Sequence, residues 1–306
     1  MNTTLKLTEI VDKWITSLDV LSSTKRDYKR KLNTWFRYLS AHRIEPRSPN
    51  RTNVLDYKEW LLTQNYSLYS VNSFICMVRL FYTWCEEQRY CSNIAAGIKL
   101  VKQYGDYAKH PLSEQQASAL IESFDSKSIV NIRDKLMIGL MLFNGLRTCE
   151  VERINIGDFD IIEGEHILNI QRKGRHDKSE LVVLHPDLIV WMEDYISRRD
   201  YDLSDPLFIS HRPRHSSRLT RQSISHIVKR RLRDVGINDP KLTPHSLRHT
   251  YGTMLVESGV DIETVRDLMG HSDSKTTRIY VGIAQQRRLL KNSPSKGIFD
   301  KINNRN

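Results

Sequence analysis

Apolar residues recur at helical spacing through the first hundred positions. Ile10, Val11, Trp14, Ile15 and Leu18 share one face, and so do Tyr28, Leu32, Trp35, Phe36 and Leu39, which follow a Ser22-Ser23-Thr24 start signal. A third segment is predicted over about 54–62, and a fourth over about 71–87 with an apolar face of Phe74, Met77, Val78, Phe81 and Trp84. Together they predict a small helical bundle at 1–98. The stretch KLVKQYGDYAKHP (99–111) is polar, carries Gly105 and Pro111 and has no helical stripe, so it reads as an interdomain linker. Ser113 and Gln116 then form a capping-box pattern that opens a second domain, 112–290, with a polar tail over 291–306. In that domain an apolar helix is predicted over 132–143, two strands over 166–170 and 180–184, and helices near 187–198, 220–235, 244–258 and 261–269. The strands are joined by QRKGRHDKS, which carries Gly174 and suggests a β-hairpin with an exposed basic tip. The fold class is therefore mainly α with a small β-sheet.

Composition narrows the partners. The 306 residues are 39% hydrophobic and 27% charged, which suits a soluble two-domain chain. No run of roughly 18 apolar residues and no charged-then-apolar leader is seen, so neither a membrane span nor secretion is expected, and the expected location is the cytoplasm. The formal net charge is +11, which favours a polyanion: nucleic acid first, an anionic membrane second. Residues 1–105 hold 16 Lys/Arg against 9 Asp/Glu, a surplus of seven; the remaining 201 hold 31 against 27, a surplus of four. Lys25, Arg26, Lys29, Arg30 and Lys31 gather at the start of the second helix, and the first four are candidate DNA contacts. The bland alternative is a solvated basic face. Cys76, Cys85, Cys91 and Cys149 have neither zinc-knuckle nor thioredoxin spacing and read as buried reduced thiols.

Several polar residues interrupt structural segments. Arg147, in FNGLRTCEVERI, lies where an apolar helix ends at Gly145 and another begins, with Glu150 one turn on. His245 and Arg248, in LTPHSLRHTYGTML, share a face at i, i+3 near a helix start whose N–H groups favour an anion. His249 stands four residues after His245, the spacing of a zinc protease helix, but the glutamate such a helix needs after its first histidine is Ser246 here. Lys173 sits beside Gly174 in the hairpin, among Arg172, Arg175 and Lys178. His271 follows a helix end, and Tyr280 comes nine residues later. Taken singly, each has an ordinary reading: a surface arginine, a solvated lysine, a packed histidine or tyrosine. Tyr251 is a competing tyrosine, but beside Met254 and Leu255 it is expected to pack. There is no glycine-rich loop ending in Gly-Lys-Ser or Gly-Lys-Thr, no acidic cluster for a two-metal nuclease and no nucleophile elbow.

In order, the pieces read GLRTCE, RKGRHDK, HSLRHTYGTMLVESG and LMGHSDSKTTRIYVG, and the chain resembles the tyrosine recombinase (phage integrase) family over most of its length. The resemblance implies a SAM-like core-binding domain followed by a catalytic domain, the two forming a C-shaped DNA clamp. It implies that Arg147 and Arg248 grip the nonbridging oxygens of a scissile phosphate and that Lys173 protonates the departing 5′ oxygen. His245 and His271 would assist proton transfer and bind the phosphate, Tyr280 would form a 3′-phosphotyrosyl link, and Glu150 would support the site. Lys173 is chosen for its place before Gly174; Arg172 and Arg175 become candidate DNA contacts. Guanidiniums suit this task, because fixed donors stabilise charge that grows in the transition state. A free tyrosine has a pKa near 10, so a cationic cleft or nearby base is needed to make it nucleophilic. Exchange of one phosphate ester for another conserves bond energy, so no cofactor or metal is expected.

The implied partners are double-stranded DNA, a homotetramer on two DNA sites joined through a Holliday junction, and accessory directionality or DNA-bending proteins; no membrane partner is expected. The leading function is a site-specific recombinase that integrates or excises a mobile element. Alternatives are an Xer-type dimer resolvase, whose ending the tail after Tyr280 does not resemble, a type IB topoisomerase, an inactive DNA-binding regulator of the same fold, and a zinc hydrolase.

Overall fold

A computed structural model describes residues 6–102, 110–175, 177–212, 217–271 and 274–291, the side chains of 274–276, 286 and 289–291 excepted. The chain falls into two compact units, 1–106 and 107–306. Most of the expected linker (103–109) and nearly all of the expected tail (292–306) lie outside the described residues.

The first unit contains α1 (Leu7–Ser17), α2 (Ser22–Ala41), α3 (Arg51–Thr63) and α4 (Leu68–Glu87). The i, i+3, i+4 stripes read from the sequence turn inward: Trp14, Leu32, Trp35, Leu39, Val78 and Phe81 are all buried. Asn50 and Ser67 cap α3 and α4 by accepting the N–H of Asn53 and Ser70. The opposite face of α2 keeps Arg26, Lys29 and Arg30 exposed, while Lys25 is half-buried. Part of that charge is answered locally, since Lys29 pairs with Asp12 at 2.6 Å, and Arg30 and Lys31 pair with Asp27 at 2.7 and 2.6 Å.

The second unit is built around α6 (Ile129–Phe143), whose residues Leu136 to Leu142 are buried almost without a break. Around it lie α5 (Glu114–Glu122), the short α7 (Thr148–Arg153), α8 (Pro186–Ile196), α9 (Arg221–Asp234), α10 (Pro244–Glu257), α11 (Ile262–Met269) and α12 (Ser274–Lys291). The capping box expected at Ser113 and Gln116 is present, with both reciprocal bonds, at 3.0 and 3.1 Å. The sheet has three strands rather than the two expected: β1 (Phe159–Ile162) pairs antiparallel with β2 (Glu165–Ile170), which pairs antiparallel with β3 (Glu180–Val183). Leu168 faces Phe159 on one side and Val182 on the other, and this row packs on the core. Helix α12, which carries Tyr280, was not expected from the sequence. Among the described residues no helix is long and apolar enough to cross a membrane.

A buried ionic knot ties α6 to α9. The fully buried Asp134 carboxylate accepts from Arg133 at 2.6 and 3.0 Å, from Arg231 at 2.7 and 2.9 Å, and from Arg230 at 3.2 Å. Removing one partner of such a knot strands the other charges in a low dielectric. Asp134→Ala is expected to cost about 3–5 kcal/mol, whereas Asp194→Ala, which breaks an exposed pair with Arg198, should cost about 1 kcal/mol or less. Urea unfolding of both variants measures the difference.

Candidate active site

The site is assembled from the ends of elements. Helix α6 stops at Asn144, and Gly145 turns the chain with φ 62°, its carbonyl accepting from the Arg248 guanidinium. A Cβ on Gly145 would run into the Tyr251 ring, so this turn has no room for a side chain. Tyr251 packs there, as expected. Two residues later Arg147 opens α7. Its backbone N–H donates to Glu150 Oε2 at 2.8 Å and its Nη1 to Glu150 Oε1 at 2.8 Å. A glutamate at the third position of a helix satisfies the free N–H groups there and interacts favourably with the positive end of the dipole.

Glu150 is fully buried and gathers three arginines. Beyond Arg147, its Oε2 stands 3.7 Å from Arg172 Nη1 and 4.0 Å from Arg248 Nη1. The same arginines are held from the other side by consecutive carbonyls at the end of α11. Arg172 Nη2 donates to Leu268 O at 3.2 Å, Arg248 Nη2 to Met269 O, and Arg147 Nη2 to Gly270 O at 3.2 Å. The C-terminal carbonyls are the negative end of the helix dipole, the natural place for cations. Gly270 makes this possible: its φ of 56° is left-handed, and a Cβ there would lie 2.8 Å from Arg172 Nε.

The next residue is His271, whose Nδ1 is 3.1 Å from Thr277 Oγ1 on α12. Its ring stacks on Tyr280, centroids 5.9 Å apart at 18°. His249 meets Tyr280 edge-on at 5.4 Å and His245 at 4.6 Å, so a line of rings runs from the exposed His245 to the buried phenol. Tyr280 is only 1% exposed and sits on Gly252, where a Cβ would come within 2.7 Å of its ring.

Burial dominates the titration of the group. It pushes the Tyr280 phenol up to about 12, against the pull of Arg248 and Arg147. It lowers His271 to about 4, with Arg248, Arg147, His249 and Arg172 adding repulsion. Arg248 falls to about 10 through burial and the neighbouring Arg147, with Glu150 opposing. The phenol and the His271 ring are therefore neutral at pH 7, and three guanidiniums against one carboxylate leave two positive charges in excess. Such a cluster can bind a phosphate diester and stabilise extra charge on it.

The structure thus brings Arg147, Glu150, Arg248, His271 and Tyr280 together, with His245 reached through His249. Lys173 and Arg175 are exposed on the hairpin between β2 and β3. Arg172 differs from its expected role as a surface DNA contact. It is only 7% exposed and faces inward, where Leu268 O accepts its Nη2 and Glu150 stands 3.7 Å from its Nη1. Sequence reasoning also set His249 aside, although its i, i+4 spacing from His245 was the available signal. Thr277 gave none. Among the described residues no group of three or more His, Cys, Asp or Glu could hold a metal.

Comparison with known proteins agrees with this geometry. The model of the phage integrase family matches residues 110–287, and that of the phage integrase N-terminal SAM-like domain matches 19–89. The chain belongs to the phage integrase family. It is a tyrosine-type site-specific recombinase. Tyrosine recombinase XerD of Pseudomonas putida is 30% identical over 270 residues, which covers 87% of this chain and 88% of that protein. XerD of Vibrio cholerae is 27% identical over 270 residues, covering 87% of each. The fold is shared with the XerH site-specific recombinase bound to palindromic difH substrate (TM-score 0.74, 22% identity, 97% of this chain and 91% of that one). It is shared as well with the Tn1549 transposon integrase in complex with transposon right end DNA (TM-score 0.70, 15% identity, 94% and 100%).

The depressed His271 pKa carries a stability consequence. Above the ordinary histidine value of 6.5 both folded and unfolded rings are neutral; as pH falls from 6.5 towards 4, only the unfolded chain takes the proton, so stability is lost over that window. His271→Gln should lose less stability than the parent between about pH 7.5 and about pH 5, read from thermal unfolding midpoints.

Proposed function

We propose that this recombinase cuts and rejoins double-stranded DNA at specific sites through Tyr280, with Arg147 and Arg248 holding the scissile phosphate. The observation that carries the reading is the convergence of the half-buried Arg147 and the buried Arg248 guanidiniums, a shared carboxylate and a phenol in one cationic cluster. On this reading the Tyr280 oxygen attacks phosphorus and a 3′-phosphotyrosyl bond forms. The bond to the 5′ oxygen breaks, and Lys173 supplies that oxygen's proton. His245 and His271 share the handling of the phenol proton and a hydrogen bond to the phosphate. Reversal of the step by a strand from a second site gives a Holliday junction, with four protomers on two DNA sites. Neither ATP nor a metal is needed, because one phosphate ester replaces another.

The biological setting has two readings. Integration or excision of a mobile element is the first, and the shared fold with a transposon integrase fits it. Resolution of chromosome or plasmid dimers is the second, favoured by the XerD relatives at 30% and 27% identity. Mapping the protein's covalent DNA adducts in cells separates them. Adducts at the ends of an element beside the gene support the first reading, and adducts at a chromosomal site independent of any element support the second.

A duplex nicked near the crossover point should trap the protein covalently, and Tyr280→Phe should abolish trapping while leaving DNA binding intact. Adduct from the Phe variant would remove the assignment. The exposed cations of α2 are proposed as phosphate contacts. Replacing Arg26, Lys29 and Arg30 together by Ala should weaken binding alike on all sequences and reduce the slope of log K against log salt by about three. An unchanged slope would count against a DNA-facing α2.

A further inference from the structure

Arg172 has no part in the reaction as proposed, yet it joins three pieces of the site. Its backbone carbonyl accepts the N–H of Arg175 at 3.1 Å, closing the turn that carries Lys173 and Gly174. Gly174, at the third position of this turn, has a positive φ of 89°, which glycine adopts without steric cost. The Arg172 side chain leaves this turn towards the interior. Its Nη2 bonds to Leu268 O, its Nη1 stands 3.7 Å from Glu150, and its guanidinium lies against Gly270, the residue before His271.

Stability does not account for this arrangement. Nε and Nη1 are buried and, among the described residues, have no hydrogen-bond acceptor. Idle N–H groups on a buried cation are destabilising, and an apolar side chain of similar length would fill the same space without that cost. What the guanidinium provides instead is a tie: it joins the hairpin to the carboxylate shared with Arg147 and Arg248 and to the Leu268 carbonyl, next to the α11 carbonyls that those two arginines use. Lys173 is the next residue in the chain, so beyond the strand pairing of β2 and β3 the Arg172 side chain ties its starting point directly to the cluster that holds the phosphate-binding arginines.

We propose that Arg172 is a positioning residue for strand transfer, anchoring the β2–β3 hairpin so that Lys173 delivers its proton to the departing 5′ oxygen. This rests on the reading of Lys173 as the acid. In that step the phosphorus–O5′ bond breaks with its electron pair going to O5′, which takes a proton from the Lys173 ammonium and leaves a neutral amine. The Tyr280 oxygen forms the new bond to phosphorus as the phenol proton passes to a neighbouring histidine.

The test uses the full-length protein and two duplexes, one with the natural oxygen at the 5′ bridging position and one with sulfur there. A thiol has a pKa of about 8.5, so a thiolate departs without help from an acid. Arg172→Met should slow adduct formation about 100-fold on the oxygen substrate and only slightly on the sulfur substrate, with DNA affinity unchanged. Arg172→Lys, which keeps the charge but loses the fork, should fall between Met and the parent and serves if the Met variant does not fold. Equal slowing on both substrates overturns the proposal in favour of direct phosphate contact. A parallel loss of affinity overturns it in favour of a DNA-contact role, and an unchanged rate overturns it in favour of a purely structural one. Lys173→Met is run beside them. If sulfur fails to rescue that variant, Lys173 is not the acid and the underlying reading falls; if sulfur rescues Lys173→Met but not Arg172→Met, only the positioning role falls.

Discussion

The catalytic unit depends on keeping three guanidiniums within reach of one carboxylate. Like charges roughly 5 Å apart repel by about 3 kcal/mol at the effective dielectric of a partly buried site, so the arginines would splay if left alone. Two things oppose that repulsion. Glu150, held at the start of α7 by the Arg147 backbone N–H, places a full negative charge at the centre. The carbonyls of Leu268, Met269 and Gly270 place the negative end of α11 against the far side. The local features follow from this. Gly270 must be left-handed and bare for Arg172 to fit beneath it, and Gly145 must turn sharply to present its carbonyl to Arg248.

The compensation is incomplete, and the residual is informative. Three cations against one carboxylate leave an excess of two, and Arg248 Nε joins the two idle donors of Arg172 in having no acceptor among the described residues. Native proteins rarely leave buried donors idle without a functional reason. On the proposed reading, an incoming phosphate diester supplies the negative charge the cluster lacks and an acceptor for Arg248, while the idle donors of Arg172 stay behind it. The neighbouring rings have shifted in opposite directions for the same cause: burial raises Tyr280 and lowers His271, and both end neutral. A neutral His271 can donate one hydrogen bond without adding a further cation to an already crowded site.

The sequence was legible wherever burial follows a period. The stripes of α1, α2 and α4 and the apolar run of α6 turned inward as their spacing implied. β1 was missed because FDII is short and mostly exposed; Ile161 and Ile162 face outward, so no alternation marks it. α12 was missed because its buried residues include Thr277 and Ala284, which look polar or neutral in a hydropathy reading, beside only one large ring, Tyr280. The site residues were legible through resemblance, with each residue alone carrying an ordinary reading. Arg172 was not legible at all. A charge in a basic hairpin reads as solvated, and what turns it inward is a carbonyl 96 residues away in the chain.

The burial of Tyr280 places a constraint on any reaction at this site. With the phenol seated on Gly252, stacked on His271 and only 1% exposed, a phosphate cannot reach it while α12 keeps this position. Both terminal nitrogens of Arg248 are likewise spent on backbone carbonyls. On the proposed reading, DNA must therefore displace Tyr280 relative to the cluster and compete with those carbonyls for the guanidiniums. Competition is feasible because a phosphate oxygen carries formal charge and a carbonyl does not, so the charge-assisted bond is the stronger of the two. A protonated phenol buried in this way is meanwhile a poor nucleophile, with its pKa held near 12. On that reading, the packing that hides Tyr280 also keeps it unreactive until an anion of the right geometry rearranges the arginines.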